Sequence, residues 1–356
     1  MCSVGGRFSE TVLWKLQREF YERNEVKCWQ ECVVPNFVTS NCFIAQAYAR
    51  SIAGFLRDHL GRQVPYMPLK IYRSDGSNWG TSQQPVYIVE IGAGSAKLSY
   101  VLLQKLLKLS KFLPRRGAET TSGSDDGESN NSSGAGGFCF KYVITDFSHA
   151  NFGFWMNHPR LQELFTLGII DFAVFDAEAE PGCVGGEQPG ADGKEGSVGK
   201  DAGEGVANTG SPGVGLWGSG CLRLELSGEE LRPGDVDNPV IVVANYVFDS
   251  LKQDAFRVHK GVLEELVCTT SSTGDIAVRP MAPELLRYIR CSWSPVRRRA
   301  SDCYPDDEHL AKAIETLSAA HKEASFLVPV GAVRAVDCLR ELVKGGKALI
   351  LAGDKG

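Results

Sequence analysis

Five short β-forming runs, separated by amphipathic stretches, constrain this chain more than any other feature. They are "VYIVEI" (Val86 to Ile91), "FKYVITDF" (Phe140 to Phe147), "IIDFAVFDAE" (Ile169 to Glu178), "PVIVVANYVFDSL" (Pro239 to Leu251) and "KALILAGD" (Lys347 to Asp354). Helical patterns stand between them. One covers Ala96 to Ser110, "SHANFGFWMNHPRLQELFTLG" holds a helix or two, and "GAVRAVDCLRELVKGG" ends on the stop signal Gly345-Gly346. Alternation of this kind predicts a doubly wound α/β fold, its mainly parallel sheet covered on both faces. "PVIVVAN" and "KALILA" are almost wholly apolar, as strands covered on both faces should be.

The rest of the chain is read around that core. Residues 1–80 form a helical region. Leu13, Leu16 and Phe20 mark one stripe, and Ile44, Tyr48, Ile52 and Phe55 mark another, with Ser40 or Asn41 as its cap. Residues 81–356 form the main domain. It is interrupted by two low-complexity segments, 117–137 and 181–220, rich in glycine, serine and acids and too poor in apolar residues to offset their ordering entropy. The segment 252–325 reads as an insertion with more strand ("AFRVHKGVLEELV") and helix ("DEHLAKAIETLSAAHKEA"), serving as a lid or substrate module or as packing support.

Several function classes are disfavoured. The net charge of −5 argues against nucleic acid or an anionic membrane as partner. "VRRR", Val296 to Arg299, is the one dense basic run and reads as a solvated loop. No run of about 18 apolar residues predicts a membrane span, and the N-terminus has no apolar signal core. The eleven cysteines show no Cys-x-x-Cys pair, so the expectation is no metal site and reduced thiols in a cytoplasmic compartment.

The strand-to-helix joint "EIGAGSAK" carries the chemistry. Gly92-Ala93-Gly94 allows positive φ and close backbone approach, and the helix that follows offers unsatisfied N–H groups. Ligands of open parallel sheets bind beyond the carboxyl ends of the strands. Polar groups recur at those ends: Asp146, Asp176, and Asn245 with Asp249. Each has a second reading as a helix cap. Lys97 stands where a dinucleotide fingerprint wants Gly or Ala, and would hinder close packing there. The Gly-Lys-Ser/Thr of a phosphate loop is absent. Glu90 would repel a pyrophosphate and suits a ligand bearing an ammonium or sulfonium group.

In these motifs the chain resembles class I S-adenosylmethionine-dependent methyltransferases. The ordered set "VPNFVTSN", "VEIGAGSAKLS", "VITDFS", "FDAE", "VVANYVFDSL" and "GKALILAGDKG" is similar to the branch around the MidA family, which includes mitochondrial complex I assembly methyltransferases. The resemblance implies a Rossmann-like fold, S-adenosyl-L-methionine as cofactor and a protein substrate, and it allows a mitochondrial compartment. It also implies roles. Glu90 faces the methionine end, and Gly92, Ala93 and Gly94 pass beneath the cofactor. Asp146 holds the ribose hydroxyls. Asp176 and the Ala177 backbone contact adenine, with Phe147 packed on the base. Asn245, Tyr246 and Asp249 stand where the acceptor meets the sulfonium, Asp249 as the base if one is needed. Two departures stand out. The branch reads Asn-Glu-x-x-Asp where this chain has Asn245-Tyr246-x-x-Asp249, so an arginine acceptor does not follow. The fold also carries seven strands, so the last two are expected to be missing here, as in a fragment. A non-catalytic, cofactor-binding assembly protein is the alternative function.

Overall fold

In the computed structural model, the residues described are 5–31, 33–34, 37–60, 84–113, 115–116, 137–179, 221–273 and 283–354. Nearly all of the first low-complexity segment and the whole of the second lie outside them. The chain begins with α1 (Val12–Asn24), a short α2 (Lys27–Gln30) and α3 (Cys42–His59). Asn41 caps α3, its side chain accepting from the Phe43 and Ile44 N–H groups. Then come β1 (Val86–Ile91), α4 (Lys97–Leu109), β2 (Phe140–Asp146), α5 (Ala150–Asn157), α6 (Pro159–Thr166), β3 (Ile170–Val174) and β4 (Val240–Asn245). A second group follows: β5 (Asp254–His259), β6 (Val262–Ser272), β7 (Ile289–Arg297), α7 (Ala300–Cys303), α8 (Glu308–Ala320) and β8 (Glu323–Val328). The chain then returns through α9 (Val330–Glu341) to β9 (Ala348–Gly353).

The main sheet is parallel throughout, in the order β9-β4-β1-β2-β3. Strand order reverses between β1 and β4, which opens a crevice at their carboxyl ends. Side chains alternate across the sheet. Val86 and Ile88 of β1 pack with α3 and α4, among Leu56, Leu102 and Leu106. Tyr87, Val89 and Ile91 face the other way, toward Leu339 and Ala335 of α9. Glu90 has the parity of the first set, so the fold buries a carboxylate inside an apolar layer.

The segment expected as an insertion is an antiparallel sheet ordered β7-β6-β5-β8, with α7 and α8 packed on it. Two expectations are corrected here. "VRRR" is exposed as expected but only half of it is loop: β7 runs to Arg297, whereas Arg298, which pairs with Glu265 at 2.7 Å, and Arg299, which pairs with Asp302, lie beyond the strand. The helix read through Ala324 ends at Ala320, and Glu323 opens β8. The N-terminal residues fasten onto this sheet. Arg7 Nε lies 3.1 Å from Glu265, the Ser9 N–H donates to Asp254, and Tyr304 donates to the same Asp254 at 2.8 Å. Among the described residues no helix is long and apolar enough to cross a membrane.

Candidate functional site

The crevice holds a cavity of about 510 Å³. Its floor is the row of strand ends: Glu90 to Ala93 after β1, Asp146 and Phe147 after β2, Phe175 to Glu178 after β3, and Asn245 to Val247 after β4. Residues more than 50 apart in sequence meet there because parallel strands deliver their ends to one edge.

The turn after β1 is built on left-handed residues. Gly92 has φ +63° and a Cβ there would lie 2.7 Å from Val247. Gly94 has φ +54°, with Trp29 of α2 lying 2.8 Å from where its Cβ would be. Ala96, also at +54°, leads into α4. Gly94 does not line the cavity. It works from behind, its N–H donating to Asp146 Oδ2 at 3.0 Å while its carbonyl accepts from the Trp155 indole. Lys97, the first residue of α4, is exposed, so the packing hindrance expected from it does not arise.

Glu90 is 3% exposed. Its Oε2 accepts hydrogen bonds from the hydroxyls of Ser99 and Tyr142, the latter at 2.8 Å. Burial pushes its carboxyl up to about 7, against those two hydrogen bonds, and Asp146 adds like-charge repulsion. Burial also raises Asp146, opposed by N–H groups of Ser148 and Gly94. The Asn151 side chain and the Phe147 N–H hold it down in the same way, and the carboxylate lines the cavity. At the far end, Asp176 Oδ1 accepts from the Glu178 N–H at 3.0 Å.

The fourth strand end is more constrained. Asn245 donates to the Thr39 carbonyl at 2.8 Å and accepts from Tyr48 at 3.3 Å. It thereby pins the 37–40 segment over the crevice. Tyr246 has φ +54°, a conformation costing roughly 1–2 kcal/mol for a residue with a Cβ, and its N–H donates to Gly353. Asp249 is exposed, and its backbone N–H is held by Asp354 at 2.9 Å.

Sequence reasoning missed the roof. Trp14, Gln17, Arg18 and Tyr21 of α1 line the cavity, as do Trp29, Val34 and residues Phe37 to Ser40. The signal was present in α1, because 14, 17, 18 and 21 follow the i, i+3, i+4, i+7 spacing of one helix face. The expected stripe of Leu13, Leu16 and Phe20 is its neighbour. Tyr21 stacks on Trp29 at 5.8 Å, tying α1 to α2. His149 packs on Phe152 at 4.7 Å, outside the cavity lining.

No protein-family model matches the chain, and no curated protein matches it. Two solved structures from Burkholderia thailandensis are similar. One is a COG1565 superfamily member bound to S-adenosyl-homocysteine, 13% identical, with a TM-score of 0.37, covering 85% of this chain and 44% of that one. The other is an uncharacterised protein of the same superfamily, 12% identical, with a TM-score of 0.35, covering 96% of this chain and 61% of that one. The chain thus spans less than two thirds of the length of each.

The wall carries five carboxylates, Glu90, Asp146, Asp176, Glu178 and Asp249, against one cation, Arg18, among the described lining residues. Such a cavity favours a cationic ligand with hydroxyl and amino donors and disfavours a diphosphate. Among the described residues no cluster could hold a metal ion.

Proposed function

We propose that this chain is an S-adenosyl-L-methionine-dependent methyltransferase of the MidA type. One observation carries the reading: Glu90, Asp146 and Asp176, from the ends of β1, β2 and β3, line one cavity beside a left-handed glycine turn. The residues fit the cofactor's chemistry. Glu90, buried and anchored through one oxygen, presents negative charge to the ammonium end. Asp146 accepts from ribose hydroxyls, and Asp176 accepts from the adenine amino group. When bound, the sulfonium supplies an already activated methyl group. What remains for the protein is alignment and exclusion of water, and alignment can supply about 7–11 kcal/mol of the barrier. Asp249, near Tyr246, is the base for an acceptor that must lose a proton.

A protein acceptor belongs to the same proposal. Phe37 and Val38, 66% and 53% exposed, form an apolar rim at the roof of the cavity, a surface suited to a macromolecular partner. The second reading is an assembly protein that binds cofactor without turnover. It is favoured by Asn245, whose side chain is tied on both sides, its amide donating to Thr39 and its carbonyl accepting from Tyr48.

A labelled methyl donor, offered with candidate protein acceptors, tests the proposal. Transfer of label is expected from the enzyme, whereas donor binding without label would support the assembly reading. Asp146→Asn is expected to weaken S-adenosylhomocysteine binding about tenfold, since each hydrogen bond to a charged group is worth about 1.5–3 kcal/mol. Calorimetry reads it, and unchanged affinity would remove Asp146 from the ribose contact.

A further inference from the structure

Arg18 sits on the shelf assigned to the purine. Its Nη1 lies 2.8 Å from Asp176 Oδ2, and its Cζ lies 4.5 Å from the centre of the Phe147 ring. The guanidinium is planar and donates N–H bonds, the two properties by which adenine would use a carboxylate and an aromatic face. Stacked contact at that distance leaves no room for a base on the same face of Phe147. Arg18 comes from α1, outside the sheet, and its Nε also donates to Glu22 Oε1 at 2.9 Å, one helical turn along. Glu22 therefore offers the side chain a resting partner once it leaves Asp176.

We propose that Arg18 is an internal ligand of the purine subsite, which the incoming nucleoside displaces. The proposal rests on the cofactor reading above and deepens it by naming a residue that sets affinity through competition. Displacement breaks the Arg18–Asp176 pair and the stack on Phe147, hands the guanidinium to Glu22, and frees both purine contacts. The pair is about one-third exposed on the arginine side, so salt weakens it.

The test is calorimetry of the full chain with S-adenosylhomocysteine as probe, comparing wild type, Arg18→Met and Arg18→Lys. Arg18→Met keeps the aliphatic bulk and removes the competitor, so affinity is expected to rise about five- to tenfold, the scale of a partly exposed ion pair plus a cation–π contact. Arg18→Lys keeps charge without the planar fork and is expected to fall between. Wild-type affinity should rise as salt is increased to about 0.5 M, while that of Arg18→Met stays level. Hydrogen exchange should show α1 less protected in the liganded wild type. Weaker or unchanged binding by Arg18→Met would overturn the displacement model and leave the cofactor reading standing. If neither protein binds the probe, the cofactor reading falls and this one falls with it.

Discussion

Glu90→Gln is expected to make the empty protein more stable at pH 8 and, in the same molecule, to cost most of its cofactor affinity. The carboxyl is buried and titrates at about 7, against an ordinary 4.5. The folded state therefore holds a proton that the unfolded chain has released across that window. The stability contributed by this proton is fully present below about 4.5 and is lost as the pH rises through about 7. Above that, ionised Glu90 costs the empty protein about 3 kcal/mol, at 1.36 kcal/mol per pKa unit. Glutamine removes this cost. Its carbonyl can take over from Oε2 as acceptor for Ser99 and Tyr142. Melting temperature should rise by a few degrees at pH 8 and change little at pH 4.5. Binding runs the other way. A ligand with an ammonium group favours the ionised form, so wild-type affinity should climb with pH toward 7 and level off above it, with proton release on binding. The Gln variant should show a flat profile and a loss of about a hundredfold, the scale of a desolvated charge pair. Calorimetry in buffers of different ionisation enthalpy reads both. A Gln variant that binds like wild type would take Glu90 out of the site.

Gly92→Val should be the most damaging single change at the turn. The position needs φ +63°, and a Cβ there would lie 2.7 Å from Val247 Cγ2. Left-handed strain costs about 1–2 kcal/mol and overpacking about 1–3 more. Val247 follows Tyr246, which is itself held left-handed, so the displaced side chain has little freedom to yield. The expected result is a denaturation midpoint lowered by some 2–5 kcal/mol of stability and no detectable S-adenosylhomocysteine binding. Gly92→Ala should show the same signs at smaller size. A Val variant with wild-type stability and affinity would mean that the turn does not approach Val247 as described.

These two residues could be singled out from sequence because their reasons are local. A glycine turn between a strand and a helix is legible in eight residues, and so is a carboxylate within "VYIVEI". The acids at Asp146 and Asp176 were equally legible once parallel strands were inferred, since such strands share one working edge. The roof was legible only in pieces, the α1 face at 14, 17, 18 and 21 and the "VPNFVTSN" stretch; its place over the strand ends was not. Trp29 meets Gly94 across 65 positions, and Asn245 meets Thr39 across about 200; no spacing rule reaches so far. By its motif position Gly94 reads as a floor for a ligand, whereas in the fold it holds Asp146 and Trp155 from behind. The motif position of Lys97 suggests hindered packing, whereas its side chain is exposed at the start of α4. In β7, Ile289, Cys291 and Trp293 alternate with Arg290, Ser292 and Ser294, but Pro295 and the arginines after it make the run read as a loop. β8 was absorbed into the helix before it because "HKEA" carries good helix formers.

Helix α1 belongs to two parts of the molecule at once. Leu16 packs against Leu285 beside the antiparallel sheet, while Trp14, Arg18 and Tyr21 look into the cavity. A helix with so few anchors in the main sheet can be lost to proteolysis or pushed aside by a bulky fusion beside it. Here that loss would spare the five-stranded sheet and its apolar layers. A preparation could then pass every spectroscopic check of foldedness and still lack a wall of the chamber whose occupancy is being assayed, so its first two dozen residues need to be verified intact before a negative binding result is believed.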